Sequence, residues 1–311
     1  MVLKKVEKLD LEYLKTLVAI VEEGNFYKAG ESLHVAQPTI SLRIQALERE
    51  LGAKVLLRNK NKAELTEIGR FTYQVGKEML ALENQISRFI ESQRKGDANQ
   101  IVIATGSTIG VFIMPQLVSK FNKKHPHHGR IELQICNSDE ALRKLITNSV
   151  DIAILGTKIR HPDLEAFKLL EYEVHLIVPG DHPLAEFDVI TLEDLLPYPL
   201  IIREKGSLTR KALEDALRQK GLTLRDFKVV MELNSTEAIK VAIECGLGLS
   251  FIASWPVMDQ LTNGTLKVVR VKDLNIRREI FTALNKRGVL TQNGEEFMKF
   301  LQLKNSLKGI I

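Results

Sequence analysis

One stripe of apolar residues divides this chain. Ile68, Phe71, Val75, Met79, Leu82, Ile86 and Phe89 follow one another at steps of 3, 4, 4, 3, 4 and 3, a mean of 3.5. Proline is absent from residues 67–93, and Gly69 and Gly76 are the only glycines there. Side chains at that spacing line one helix as a seam that a second helix can cover. Glu67, Arg70, Lys77, Glu78, Glu83, Arg88 and Glu91 stand on its flanks. The pattern predicts a long helix over 67–93 that pairs two chains, with burial inside a single globule as the alternative.

The segments on either side differ in kind. Residues 1–66 are helical in pattern. Leu11, Leu14, Leu17, Val18 and Val21 share one face, Gly24 suits the left-handed stop after it, and Asn25 suits the cap of a second helix. That helix turns Phe26, Ala29, Gly30 and Leu33 inward. A third, with Pro38 in its first turn, carries Ile40, Ile44, Leu47 and Leu51 on one side and stops at Gly52. Two short helices joined by a tight turn form a helix-turn-helix. The outer face of the third helix then presents Gln37, Thr39, Ser41, Leu42, Arg43 and Gln45. Gln pairs with adenine and Arg with guanine at major-groove edges, while Ser and Thr reach bases or phosphates. Ordinary solvated positions have the same composition, so the next segment carries weight. Lys54, Arg58, Lys60 and Lys62 place four cations in nine residues without an acid, between the short strand-like runs Val55–Leu57 and Ala63–Leu65. A basic hairpin wing behind a helix-turn-helix suits contact with DNA phosphates. Two heads joined by the long helix would read two half-sites one helical turn apart.

Beyond the polar hinge Lys95-Gly96-Asp97-Ala98-Asn99, strand-like runs alternate with helix-length stretches. They are Ile101–Ala104, Ile131–Ile135, Asp151–Leu155, His175–Val178, Leu200–Ile202, Val229–Met231 and Leu249–Ile252. This rhythm means βαβ units, a largely parallel sheet, and two α/β lobes rather than one. Open α/β sheets bind ligands beyond the carboxyl ends of their strands. Ser107 and Thr108 follow the first strand, Ser138 the second, and Thr236 opens a later helix. Hydroxyls at helix starts suit a carboxylate or other oxyanion, although each alone is most simply a cap. Arg203 offers a bidentate guanidinium to an acidic ligand; a surface ion pair with Glu204 is the competing role.

Several classes drop out. A chain of 311 residues with 44% apolar and 27% charged residues and a net charge of +5 is globular, not disordered. An apolar run near the ~18 residues of a membrane span is missing, as is a leader-like start, so a cytoplasmic protein is expected. Cys136 and Cys245 lie far apart and form no ligand motif. His125, His127 and His128 cluster without Cys or carboxylate at metal-ligand spacing. Gly-x-Ser-x-Gly is absent, and no nucleophile has an identifiable base. Neither catalytic residues, metal nor cofactor is expected.

The stretch Leu11–Gly69 resembles the N-terminal signature of LysR-type transcriptional regulators. The matching residues are Leu14, Leu17, Glu23-Gly24, Phe26, Ala29, Leu33, Gln37-Pro38, Ser41, Ile44, Leu47-Glu48, Leu51-Gly52, Arg58, Leu65-Thr66 and Gly69. The remainder is similar, more loosely, to the effector domain of that family, through Pro115, Phe121, Asp151–Ile154, Pro179, His182-Pro183-Leu184 and Gly246–Gly248. The resemblance implies a multidomain α/β protein: an all-α winged helix-turn-helix at 1–66, a linker helix at 67–93, and a two-lobed Rossmann-like effector domain at 98–311, of the type 2 periplasmic-binding-protein kind. Its first lobe would span about 98–166 and 267–311, its second about 167–266. The implied function is sequence-specific transcriptional regulation, with DNA binding or bending modulated by a small anionic metabolite held between the lobes. Carried over, the DNA-binding residues are Asn25, Gln37, Pro38, Thr39, Ser41, Leu42, Arg43, Arg58, Lys60 and Lys62, and the effector-binding residues are Ser107, Thr108, Ser138, Arg203, Ser207 and Thr236. The partners would be double-stranded DNA with an interrupted palindrome, RNA polymerase, and further copies of the chain in a dimer or tetramer. Two departures stand out. Ala36 replaces a serine cap, a loss that typically costs ~1 kcal/mol, and Leu42 replaces a polar or basic residue, leaving only apolar contact such as with a thymine methyl. An effector-independent architectural regulator, or an enzyme or small-molecule-binding protein with a DNA-binding-like head, are the alternatives.

Overall fold

Asp10 starts the first helix by accepting the Glu12 N–H at 2.9 Å. In the computed structural model the described residues are 9–59, 62–94, 96–97, 99–126 and 129–303, with the side chains of 58, 59, 62 and 63 outside that description. Two compact units make up the chain, residues 1–96 with 146–149, and residues 97–145 with 150–311.

In the first unit, α1 (Leu11–Glu23) buries Leu14, Leu17 and Ile20 and ends at Gly24, whose φ of 78° is left-handed backbone that glycine adopts without a Cβ clash. The Asn25 Oδ1 accepts from Lys28 N at 2.8 Å and caps α2 (Phe26–Ser32). Next, α3 (Gln37–Leu51) has no side-chain cap at Ala36. Its Ile40, Ile44 and Leu47 close one core with Leu14, Leu17, Ile20, Ala29 and Val55. Glu48 then fixes the exit: its carboxylate accepts from Val55 N at 3.1 Å and pairs with Lys54 at 2.6 Å. The wing follows as β1 (Leu56–Asn59) and β2 (Lys62–Leu65), antiparallel with Leu56 opposite Leu65.

The long helix is α4 (Glu67–Arg94). Thr66 anchors its start, donating to Lys54 O at 2.7 Å and accepting from Gly69 N at 2.9 Å. The two glycines of the helix mark where it lies against the head. A Cβ on Gly69 would fall 1.9 Å from the Val55 carbonyl oxygen, and one on Gly76 would touch the Leu14 side chain at 3.3 Å. Lys15–Glu83 and Lys77–Glu22 pairs, at 3.3 and 3.2 Å, join α1 to the same helix. The buried face of α4 is therefore Gly69, Thr72, Gly76 and Ala81, whereas Phe71, Leu82, Ile86 and Phe89 face solvent, Phe71 with 69% and Ile86 with 61% of its surface exposed. Within its own unit, most of the apolar seam has no cover.

The second unit begins β3 (Ile101–Thr105), α5 (Ser107–Phe112), α6 (Met114–Lys124), β4 (Ile131–Ile135), α7 (Ser138–Ile146) and β5 (Ile152–Leu155), with β4 and β5 parallel to β3 on either side. A sixteen-residue strand, β6 (Leu164–Pro179), follows. The chain continues through β7 (Val189–Ile190), α8 (Leu192–Leu195), β8 (Pro199–Arg203), α9 (Leu208–Gln219), β9 (Lys228–Leu233), α10 (Thr236–Glu244), β10 (Ser250–Ala253), α11 (Met258–Asn263) and β11 (Leu266–Val271) to β12 (Ile276–Asn285) and α12 (Gln292–Gln302). The sheet is mixed, where the βαβ rhythm predicts a largely parallel one. The cause is β6, which pairs antiparallel with β10, β11 and β12 and runs through both halves of the unit. Two main cores result. One centres on Ile101, Phe121, Ile152 and Phe297; the other holds Val174, Leu200, Leu213 and Phe251. The second core also takes Val269, Val271 and Ile276, beyond the crossing expected near 267, because β11 stays paired to β6 before β12 returns.

Candidate functional site

On the head, α3 decides what can be offered to a groove. At 3.6 residues per turn, its buried Ile40, Ile44 and Leu47 lie opposite Pro38, Leu42, Gln45 and Arg49, all exposed, with Gln37 beside them. Leu42 has 63% of its surface free. Thr39 and Ser41 are half-buried on the flanks. Arg43 turns toward α1, where it pairs with Glu12 at 3.2 Å. Asn25 spends its carboxamide on the α2 cap. Arg58 and Lys62 occupy the wing strands by backbone, while their side chains and all of Lys60 lie outside the described residues. Gln45 belongs to the outer face although it is not among the site residues carried over from the resemblance. Its position seven residues after Pro38 and three after Leu42 is the signal that identifies it.

In the second unit, side chains from distant elements converge. The Thr108 and Thr236 hydroxyls lie 3.2 Å apart, bringing the start of α5 to the start of α10. Arg203, at the end of β8 and only 8% exposed, donates through Nη1 to Thr236 Oγ1 at 3.1 Å. Its Nε and Nη2 grip the two carboxylate oxygens of Glu204 at 2.7 and 3.0 Å, and Nη2 also reaches Asn234 O at 3.5 Å. Of the two roles expected of Arg203, the Glu204 pair forms, although with the guanidinium buried rather than at the surface.

Three further residues complete the cluster. Arg278 on β12 faces Tyr172 on β6 as a direct cross-strand neighbour. Its guanidinium donates to Gly156 O and Leu208 O, tying the end of β5 to the start of α9. It is 8% exposed and, among the described residues, has no carboxylate within ion-pair reach; burial pushes its pKa below the ordinary arginine value. Burial likewise pushes the Tyr172 phenol up, against the opposing pull of Arg278 and Arg203. Tyr172 packs on Trp255, ring centres 4.6 Å apart, and the buried Trp255 Nε1–H finds no acceptor among the described residues. Arg203 with Glu204 meets the Thr108–Thr236 hydroxyl pair, and the charges of both Arg203 and Arg278 act on Tyr172. Two buried cations against one carboxylate suit an anion.

The remaining candidates are placed less centrally. Ser107 opens α5, which at six residues is too short for its dipole to matter much, and Gly106 gives it no side-chain cap. At α7 the cap is Asn137, which accepts from Glu140 N at 2.9 Å, so the Ser138 hydroxyl is not spent there. Ser207 sits buried at the head of α9 without capping it. His125 pairs with Glu296 at 3.2 Å and stacks on Phe121; His127 and His128 lie outside the described residues. Among the described residues no cluster could hold a metal, and no helix is long and apolar enough to cross a membrane.

Residues 11–70 match the bacterial regulatory helix-turn-helix family of LysR proteins, and residues 94–304 match the LysR substrate binding domain. This chain is a LysR-type transcriptional regulator. Among LysR-type relatives, a "Probable RuBisCO transcriptional regulator" of Cyanidioschyzon merolae is 34% identical over 278 residues, covering 88% of this chain and 91% of that one. The regulatory domain of CcmR from Synechocystis PCC6803, solved in complex with 2-PG, superposes with a TM-score of 0.57 at 27% identity, over 65% of this chain and 95% of that one. Vibrio fischeri DarR, solved in complex with DNA, shares the fold at a TM-score of 0.58 and 18% identity, over 95% and 99% of the two chains.

Proposed function

We propose that this regulator reads an interrupted palindrome as a dimer and that a small anion bound in the second unit changes the DNA complex. The observation that carries the effector half is Arg278, a buried cation with no carboxylate partner among the described residues, whose charge acts on Tyr172 together with that of the buried Arg203. An isolated buried charge is costly and is held in place by an anion that arrives with the ligand. The 2-PG bound by the CcmR domain makes 2-PG the first ligand to try.

On the head, Gln37, Pro38, Thr39, Ser41, Leu42 and Gln45 approach base edges. Asn25, Arg58, Lys60 and Lys62 approach phosphates, and Arg43 orients α3 through Glu12. The uncovered seam Phe71, Leu82, Ile86 and Phe89 pairs two chains. Two dimers join into a tetramer through the effector domains, and the assembly bends cytoplasmic DNA and meets RNA polymerase there. The protein performs no turnover of its own.

The test is recovery of sheared genomic DNA by the purified chain at ~150 mM salt, where purely ionic binding is weakened. A Gln37→Ala, Gln45→Ala variant runs in parallel; both positions are exposed, so folding should change by less than about 0.5 kcal/mol. The native chain should enrich a few loci sharing a palindrome, and the variant should lose them. Equal enrichment by both would contradict base reading by α3.

A further inference from the structure

Arg203 is the cation nearest the hydroxyl pair, yet it is already occupied. Nε and Nη2 hold both oxygens of Glu204, and Nη1 holds Thr236. The guanidinium fork therefore has no free edge for an incoming acid. The two partners differ in exposure: Arg203 keeps 8% of its side chain in solvent, Glu204 33%. Arg203 is fixed in the wall, whereas Glu204 can swing out and recover its hydration. We propose that Glu204 is a built-in competitor that sets how much negative charge a ligand must carry to occupy this site.

The argument rests on the anionic-effector reading above and follows from comparing the occupants. Glu204 brings one negative charge and two acceptor oxygens, and it is tethered one residue from its partner. A monocarboxylate offers the same charge and the same two oxygens without the tether, so it competes against a high effective concentration and loses. A phosphate dianion brings up to twice the charge and three strong acceptor oxygens. It can replace Glu204 on Arg203 and still satisfy the Thr236 hydroxyl that Arg203 holds and the Thr108 hydroxyl paired with it. The field of Arg278, which also acts on Tyr172 beside this site, adds to each charge alike, so a dianion gains about twice what a monoanion gains. With Glu204 counted, the cluster holds two buried cations and one anion, a residual charge of one. With Glu204 displaced it holds two, which matches a dianion. Glu204 thus sets a threshold of affinity that a doubly charged ligand clears and a singly charged one does not, without touching the bound ligand.

The sole tryptophan of the chain is Trp255, so its fluorescence reports on this site alone. The full chain is titrated with inorganic phosphate and with acetate at about pH 8, as the native protein, as Glu204→Gln and as Glu204→Asp. Native protein should favour phosphate strongly. Glu204→Gln should bind both anions about tenfold tighter, because the displacement cost it removes is the same for each, and acetate then comes into the binding range. Glu204→Asp, which keeps the competing charge, should bind each anion as the native protein does. If Glu204→Gln gains for only one anion, gains for neither, or binds more weakly, the competitor role is wrong while the anionic-effector reading survives. If none of the three proteins responds to phosphate, acetate or 2-PG, the effector reading itself falls and takes this one with it.

Discussion

Arg278→Met is expected to abolish the anion response while leaving the chain folded. The guanidinium is buried, and its recorded partners are the Gly156 and Leu208 carbonyls and no carboxylate among the described residues. Methionine fills similar space without the charge. Two hydrogen bonds from a charged donor are lost, a cost of about 1–3 kcal/mol each, but so is the desolvation of the cation, and the terms largely offset. The net change in stability should stay within about 2 kcal/mol. Ligand binding has no such offset. Removing one partner of a desolvated charge pair costs roughly 2–5 kcal/mol, so phosphate or 2-PG affinity should fall by about 100-fold or more. Arg278→Lys should rescue only part of this, because an ammonium keeps the charge but cannot span both carbonyls. Calorimetric titration alongside thermal denaturation checks both halves. Native-like affinity in a folded Arg278→Met protein would remove Arg278 from the site.

Gly69→Ala is expected to be the most damaging single methyl in the head. The added carbon would lie 1.9 Å from the Val55 carbonyl oxygen, well inside contact distance and against backbone. That carbonyl also accepts from Thr66 N at 3.0 Å, and Thr66 in turn bonds Lys54 O and Gly69 N, so strand and helix cannot separate without breaking the anchor. Overpacking of this kind costs about 3 kcal/mol or more, a drop of at least ~10 °C for a unit of this size. Gly76→Ala is the internal control. Its methyl would meet only the flexible end of Leu14 at 3.3 Å, and alanine gains up to about 1 kcal/mol of helix propensity. Thermal unfolding with a DNA-binding assay distinguishes the two: Gly69→Ala should lose DNA while still binding phosphate, and Gly76→Ala should keep both. An undisturbed Gly69→Ala would mean that α4 does not pack on the wing as described.

The head was legible because its signals are local. Gly24, Asn25, Gly52 and the 3–4 spacing of Leu14, Leu17, Ile40, Ile44 and Leu47 act within a few residues, and the helices fall where these predict. The role of Glu48 was not legible, since its partners Lys54 and Val55 matter only once the chain has turned. The effector unit hid more. β6 reads Leu-Glu-Ala-Phe-Lys-Leu-Leu-Glu, a helix-like composition, and becomes a strand because β10, β11 and β12 pair along it. β12 opens Ile-Arg-Arg-Glu, a charged start without strand alternation, so no local signal singles out Arg278. Its importance comes from a cross-strand neighbour 106 positions earlier in the chain, Tyr172, a distance no local pattern spans. By contrast Thr108, Arg203 and Thr236 were visible, each standing at a strand end or helix start, although nothing in the sequence joins them. Arg43 shows what sequence does not give: its residue type suits a guanine, and its pairing with Glu12 on α1 appears only in the fold.

The central claim is that an anion in the effector unit alters how the paired heads hold DNA, and a nuclease footprint tests it most directly. A fragment enriched from the genome is footprinted with the native chain and with Arg278→Met, with and without 2-PG at a concentration shown by Trp255 fluorescence to saturate the native site. The expected result is that the native footprint changes in length or in its pattern of enhanced cleavage when 2-PG is added, while Arg278→Met protects the same fragment and does not respond. A native footprint that stays unchanged at saturating 2-PG would contradict the claim, as would an Arg278→Met footprint that shifts with the ligand as the native one does.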